Sequence, residues 1–271
     1  MLPPSDTLPG AGDRPTPRLH GVRSFACYYG FGNLQALGHF DLLLLHPGAH
    51  TSDQLAFLRT RGARVLAYLS LGEQSGDVPD APWHLRTAEG LRWENPAWGT
   101  VYVDTRDPAW TRWVVETQLP RLRASYDGVF LDTLDTAEQF PQLHQGTVAL
   151  VLAIRRAWQD AVVIINRGFC VLDRVEPAID GLVFEAFTSY CREGQYGNWT
   201  SRDLSFNAHL AARVNALRRS RGWPVFSLDY AAPNEATRAA YALGRARRFG
   251  FVPYVSTGSL NEVFCLPAER R

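Results

Sequence analysis

Acidic residues close several short apolar runs in this chain. In YDGVFLDTLD (126 to 135), Asp132 follows Val129, Phe130 and Leu131, and Asp135 lies just beyond. In GLVFEAF (181 to 187), Glu185 ends a similar run, and in PVFSLDY (224 to 230), Asp229 stands beside Tyr230. A carboxylate next to apolar residues loses hydration and needs partners, so each of these acids is either a hydrogen-bond anchor or a group tuned for proton transfer. Side chains alternate along a strand, so Phe130 and Asp132 share one face, as do Val183 and Glu185. Two acids from separate strands can therefore converge on one cleft, where a pair could divide general acid and base work.

Composition removes competing chemistries. All 28 basic residues are Arg, so no lysine amine is present for Schiff-base, pyridoxal or P-loop phosphotransfer reactions. Cys27, Cys170, Cys191 and Cys265 show no CxxC spacing, which argues against a zinc site and a redox motif while permitting two disulfides. His46, His84 and His209 have no ligand spacing and read as structural or surface residues. No cofactor motif is present, so none is expected. A net charge of +1 points to neither nucleic acid nor an anionic membrane surface, and no apolar run is long enough to span a bilayer.

The elements that must carry the acids follow from punctuation and periodicity. Residues 1 to 20 hold five of the 17 prolines and read as a flexible leader, leaving 21 to 271 as one folded domain. Apolar runs at 23 to 29, 41 to 46, 63 to 72, 128 to 132, 161 to 166, 181 to 187, 224 to 230 and 250 to 256 predict eight strands. Amphipathic stretches separate them. Thr51 with Gln54 makes a capping box, Asp107 before Pro108 makes a helix start, and Gly62, Gly222 and Gly250 stand where helices would hand over to strands.

Alternating strands and helices argue for a parallel sheet, and eight strands close a (β/α)8 TIM barrel in a single domain. The rival doubly wound sheet would carry a glycine-rich phosphate turn, which YYGFGNLQALG matches poorly. In a barrel the functional groups sit at the C-terminal strand ends. Reading those ends gives Tyr28 and Tyr29, His46, Ser70 and Glu73, Asp132 and Asp135, Asn166 and Arg167, Glu185, Asp229 and Tyr230, then Tyr254 and Ser256. Asp104 is a further cleft candidate. Trp83, Trp93, Trp98 and Trp199 fall in loop-like stretches and could stack on a sugar or pack under the loops.

The segments AYLSLGE (67 to 73), YVDTRDPAW (102 to 110), YDGVFLDTLD, SLDYA (227 to 231) and GFVPYVS (250 to 256) resemble those of glycoside hydrolase family 114, the endo-α-1,4-polygalactosaminidases and their bacterial relatives. The resemblance covers about residues 22 to 260. It implies a barrel and endo-hydrolysis of a galactosamine-containing polysaccharide by a carboxylate pair, with Asp132 at the family's fourth-strand aspartate and Glu185 at its sixth-strand glutamate. It also implies an extracellular or cell-surface location; a monomer acting on polysaccharide is expected.

Glycosidic cleavage asks for the same residue types independently: one acid to protonate the leaving oxygen and one carboxylate to trap the oxocarbenium-like sugar or activate water, with no cofactor. Glu185 is assigned as general acid/base, with Asp132 as nucleophile if configuration is retained or as base if it inverts. Tyr28, Tyr29, Glu73, Asp104, Asp135, Asn166, Asp229, Tyr230 and Tyr254 are the expected substrate-binding groups. The alternatives are a noncatalytic glycan-binding barrel and a metal-dependent hydrolase built on Asp132, Asp135 and a histidine.

Overall fold

The computed structural model describes residues 18–263. Eight strands form one parallel sheet in chain order: β1 (Phe25–Tyr28), β2 (Leu42–Leu45), β3 (Arg64–Ser70), β4 (Gly128–Asp132), β5 (Val162–Asn166), β6 (Gly181–Glu185), β7 (Val225–Tyr230) and β8 (Val252–Ser256). β1 packs back against β8, so the sheet curls into a nearly closed (β/α)8 barrel. Phe25 bridges that seam, with its ring 5.7 Å from Tyr254 and 4.9 Å from Phe226. The Tyr29 N–H adds a bond to the Leu260 carbonyl at 2.7 Å.

The continuous apolar runs have a physical cause. Every residue of β1, β2 and β5 is buried, because helices cover the outside of the barrel and side chains fill its inside. Tight closure also demands glycine at the start of β4, where a Cβ on Gly128 would lie 2.0 Å from the Val162 carbonyl oxygen.

Helix boundaries follow the expected chemistry. Thr51 and Gln54 cap Ser52–Thr60 reciprocally, at 2.9 and 3.3 Å. Asp107 accepts from the Ala109 N–H at 2.8 Å and so caps the helix opening at Pro108. Gly62, Gly222 and Gly250 all have positive φ, as helix-to-strand turns require.

Two insertions go beyond this reading. The connection after β3 carries a three-stranded antiparallel sheet, Glu73–Ser75, Glu94–Asn95 and Thr100–Tyr102. That after β6 carries a hairpin, Ser189–Arg192 with Gln195–Asn198. Both leave C-terminal strand ends and so wall the same mouth.

Residues 18 to 20, the end of the expected leader, are part of the described fold. Leu19 is buried, and Arg18 pairs with Asp180 at 3.0 Å and reaches the Gln159 carbonyl at 2.8 Å. Cys27, Cys170 and Cys191 are free thiols, and Cys265 lies outside the described residues. Among the described residues no helix is long and apolar enough to cross a membrane.

Candidate active site

Four adjacent strands each end in a polar side chain aimed into the barrel mouth: Asp132 on β4, Asn166 on β5, Glu185 on β6 and Tyr230 on β7. One amide joins the two acids. Asn166 Nδ2 donates to Asp132 Oδ1 at 2.8 Å and to Glu185 Oε2 at 2.5 Å. The phenol of Tyr230 donates to the other oxygen of Glu185, Oε1, at 2.5 Å. Tyr68 shares a face with Ser70 and Asp132 across the β3–β4 register, and the Asp132 charge acts on its phenol.

The backbone turns sharply immediately after three of these residues. Thr133, Arg167 and Ala186 have φ of 60°, 50° and 52°, a left-handed conformation that costs a non-glycine residue about 1–2 kcal/mol. Surrounding bonds hold the turns in place. Thr133 Oγ1 accepts from the Leu71 and Gly72 N–H groups at 3.1 and 2.8 Å. The Ala186 carbonyl accepts from Trp199 Nε1 at 2.6 Å, and the Arg167 N–H donates to the Val183 carbonyl at 2.9 Å. Such strain, repeated at three neighbouring strand ends, belongs to a site whose geometry is over-determined.

The electrostatics separate the acids. Burial and the Asp132 charge push the Glu185 carboxyl up, against the opposing pull of Tyr230, Asn166 and Arg167. Partial burial and the same Asp132 charge raise Asp135 to about 6, with Arg167 pulling the other way from 3.7 Å. Burial raises the phenols of Tyr29 and Tyr68, which remain neutral donors. An aromatic wall faces the acids: Tyr29 lies 5.1 Å from Tyr68, and His46 stacks on Tyr68 at 6.1 Å.

Of the expected residues, Asp132, Asp135, Asn166, Glu185, Tyr230 and Tyr29 meet at this mouth. The others do not. Tyr28 and Asp229 are neighbours of Tyr29 and Tyr230, and the period-two rule sends them to the opposite face. Tyr28 donates to the Phe31 carbonyl at 2.8 Å and accepts from Asn33 at 2.9 Å. Asp229, 1% exposed, accepts from the Thr188 and Ser189 N–H groups at 2.5 and 2.9 Å. Glu73 is held inside the β3 insertion by Thr100 at 2.5 Å and Asn95 at 3.2 Å. Asp104 forms a bidentate pair with Arg106 at 2.8 and 2.7 Å. Tyr254 is buried in aromatic packing with Phe25 and Phe40.

Sequence reasoning passed over Tyr68 and read His46 as structural or surface. The signal for Tyr68 was its place two residues before Ser70, on the inward face. Among the described residues no group of three His, Cys, Asp or Glu side chains could hold a metal ion, so the metal-dependent alternative has no ligand set there.

The model of glycoside-hydrolase family GH114 matches residues 27–270. The chain belongs to this family. It is a glycosidase, with two carboxylates at the mouth of a barrel as that chemistry requires. The glycoside hydrolase domain of PelA from Pseudomonas aeruginosa superposes with a TM-score of 0.79 and 25% identity, over 91% of this chain and 99% of that one. Ega3 from Aspergillus fumigatus, solved with galactosamine, gives a TM-score of 0.67 at 15% identity over 94% and 100% of the two chains. The α-galactosidase TtGalA from Thermus thermophilus gives 0.59 at 17%, covering 90% of this chain and 63% of that one. The last two establish a shared barrel fold. No curated protein matches this GH114 chain.

Proposed function

We propose that this GH114 protein cleaves internal α-1,4 linkages of a galactosamine-containing polysaccharide, outside the cell or at its surface and as a monomer, with Glu185 as general acid/base and Asp132 as nucleophile. The observation that carries the mechanism is the shared amide. Two oxygens bonded to one nitrogen at 2.8 and 2.5 Å can be separated by no more than the sum of those distances, about 5.3 Å. Retaining glycosidases hold their carboxyl groups roughly 5–5.5 Å apart, whereas inverting enzymes need about 6.5–9.5 Å to seat a water. The bound applies to the two facing oxygens and puts them within the retaining spacing, which supports direct attack by Asp132 and a covalent glycosyl intermediate.

The first half-reaction needs Glu185 protonated, and burial beside the Asp132 charge pushes it in that direction. As Glu185 gives its proton to the leaving oxygen, Tyr230 and Asn166 are already aimed at the carboxylate that forms. Asp132 attacks the anomeric carbon from the opposite side, and neutralisation of its charge lowers the affinity of Glu185 for a proton. Glu185 can then act as base towards the water that releases the sugar.

Support for the substrate comes from the family and from two features of the mouth. A carboxylate at Asp135, three residues from Asp132, suits an ammonium or amide nitrogen on the bound sugar, and the aromatic wall of Tyr29 and Tyr68 suits its carbon face. Incubation of defined galactosaminan oligomers with the protein, read by mass spectrometry, tests the reading. Products of several intermediate lengths are expected. Release of single end sugars alone would refute endo action, and intact oligomers would refute the substrate.

A further inference from the structure

We infer that a second sugar-binding pocket lies on the outer rim of the catalytic face, between the hairpin after β6 and the helix after β7, and that it takes a neutral N-acetylated hexosamine unit of the same polymer. This rests on the galactosamine-polysaccharide reading of the main site.

A cavity of about 610 Å³ opens there, within the range of small-molecule sites. Its walls include Asn198 from the hairpin, and Asn234, Glu235, Thr237, Arg238 and Tyr241 from the loop and first turns of helix Ala236–Arg248. Tyr241 lies three and four residues beyond Arg238 and Thr237, so the three share one helix face. Its ring is 39% exposed, among the few large apolar groups the described surface leaves open. An exposed aromatic ring beside fixed planar polar groups is the combination that receives the carbon face and the hydroxyls of a pyranose.

The polar groups are already ordered. Arg238 bonds both oxygens of Glu235 at 3.0 and 2.8 Å, and donates to Asn198 Oδ1 at 3.0 Å. Glu235 also accepts from the Ala232 N–H at 3.0 Å. The guanidinium plane is thus fixed and its charge is compensated within the wall, which reduces the ordering cost of binding. The remaining groups, Asn198, Asn234 and Thr237, are neutral donors and acceptors. They match hydroxyl and acetamide groups and offer no unpaired carboxylate to an ammonium. The barrel mouth, with Asp132, Asp135 and Glu185, has the opposite character.

The pocket is mechanically joined to the catalytic strand. Trp199, next to Asn198, donates its indole N–H to the carbonyl of Ala186, the residue after Glu185. Its ring lies 4.5 Å from Tyr190, and Arg192 covers both rings at 4.9 and 5.2 Å from their centroids. The pocket and the acid-bearing end of β6 are thus linked through one hairpin, which lets a single polymer chain engage both. A polymer mixing free and acetylated amines would satisfy both sites at once, and the second contact would raise affinity through effective concentration.

The test uses Glu185→Gln to silence turnover and compares it with Glu185→Gln/Tyr241→Ala by affinity electrophoresis. Gels contain either partly acetylated or fully deacetylated galactosaminan. Tyr241→Ala is expected to weaken binding of the partly acetylated polymer about fivefold or more and to leave binding of the deacetylated polymer unchanged. Equal retardation of the two proteins by the partly acetylated polymer, no retardation of either, or an equal loss on both polymers would overturn the assignment. Hydrolysis by the wild-type protein is read separately. If it leaves the polymer uncut the catalytic reading falls, while Tyr241-dependent retardation still decides the pocket.

Discussion

Tyr230 donates its phenolic hydrogen to Oε1 of Glu185 at 2.5 Å, from the next strand of the barrel. That bond favours the ionised acid and opposes the burial that raises it. Tyr230→Phe removes the donor and keeps the ring, so the Glu185 pKa should rise further. Because the acid step needs protonated Glu185, the alkaline limb of kcat/KM should move to higher pH. The rate should nonetheless fall by about tenfold, since the carboxylate formed on proton transfer loses a partner. A pH–rate profile with an unmoved alkaline limb would remove Glu185 from the acid role.

The carboxylate gap makes a stereochemical prediction. Retention requires that the first sugar released carries the α configuration of the cleaved bond, which NMR of a fresh digest reads before mutarotation. First appearance of the β anomer would reassign Asp132 as a base. Asp132→Asn and Glu185→Gln should each keep the wild-type circular dichroism and melting profile while losing about 10²- to 10⁴-fold in turnover.

Both carboxylates and all eight strands were legible in the sequence because two strong periodicities coincide. Buried parallel strands leave apolar runs, and an acid at the end of one is conspicuous. Facing was legible in principle and missed at two places: Tyr28 and Asp229 are one residue from Tyr29 and Tyr230, and one residue reverses the face. Two of the acids expected at the mouth are engaged elsewhere. Arg106 neutralises Asp104, while Asp229 is an anchor on the outside of the sheet. The inserted strands were illegible. Glu94–Asn95 is two residues long, and the hairpin at Ser189 is mostly half-buried, with no clear apolar alternation. Tyr68 meets Asp132 only through the β3–β4 register, which no local pattern specifies.

Asp135 is the carboxylate best placed to discriminate amines. Partial burial and the Asp132 charge push its carboxyl up to about 6, which leaves it ionised at neutral pH and able to pair with an ammonium. Partly deacetylated galactosaminan should be cut faster than the fully acetylated polymer at pH 7. That advantage should fade as pH falls through about 6, and as salt shortens the screening length to about 10 Å at 0.1 M. Asp135→Asn should raise KM for the deacetylated polymer by about tenfold, the lower end for a bond to a charged group, because its side chain is 44% exposed. Initial rates on length-matched polymers check this. Equal rates at low salt would leave Asp135 without a part in selection.

Asp229 makes the opposite kind of prediction, one about the fold. Its carboxylate ties the segment after Glu185 to β7 through the Thr188 and Ser189 N–H groups and Ser227 Oγ, the last at 2.7 Å. Asp229→Ala leaves two buried backbone donors unpaired and should cost about 2–4 kcal/mol. Asp229→Asn keeps an acceptor oxygen and removes the charge, so its cost should be much smaller. Burial raises this acid from 3.8 to about 6 on folding. The folded state therefore binds the proton more tightly than the unfolded one, and protonation between pH 6 and 4 stabilises the fold. Wild type should gain on Asp229→Asn as pH falls from 7.5 to 5, measured as the difference in their melting temperatures. A wild-type melting temperature that falls relative to that of Asp229→Asn on acidification would mean that the network prefers the ionised acid and that its three hydrogen-bond partners outweigh burial.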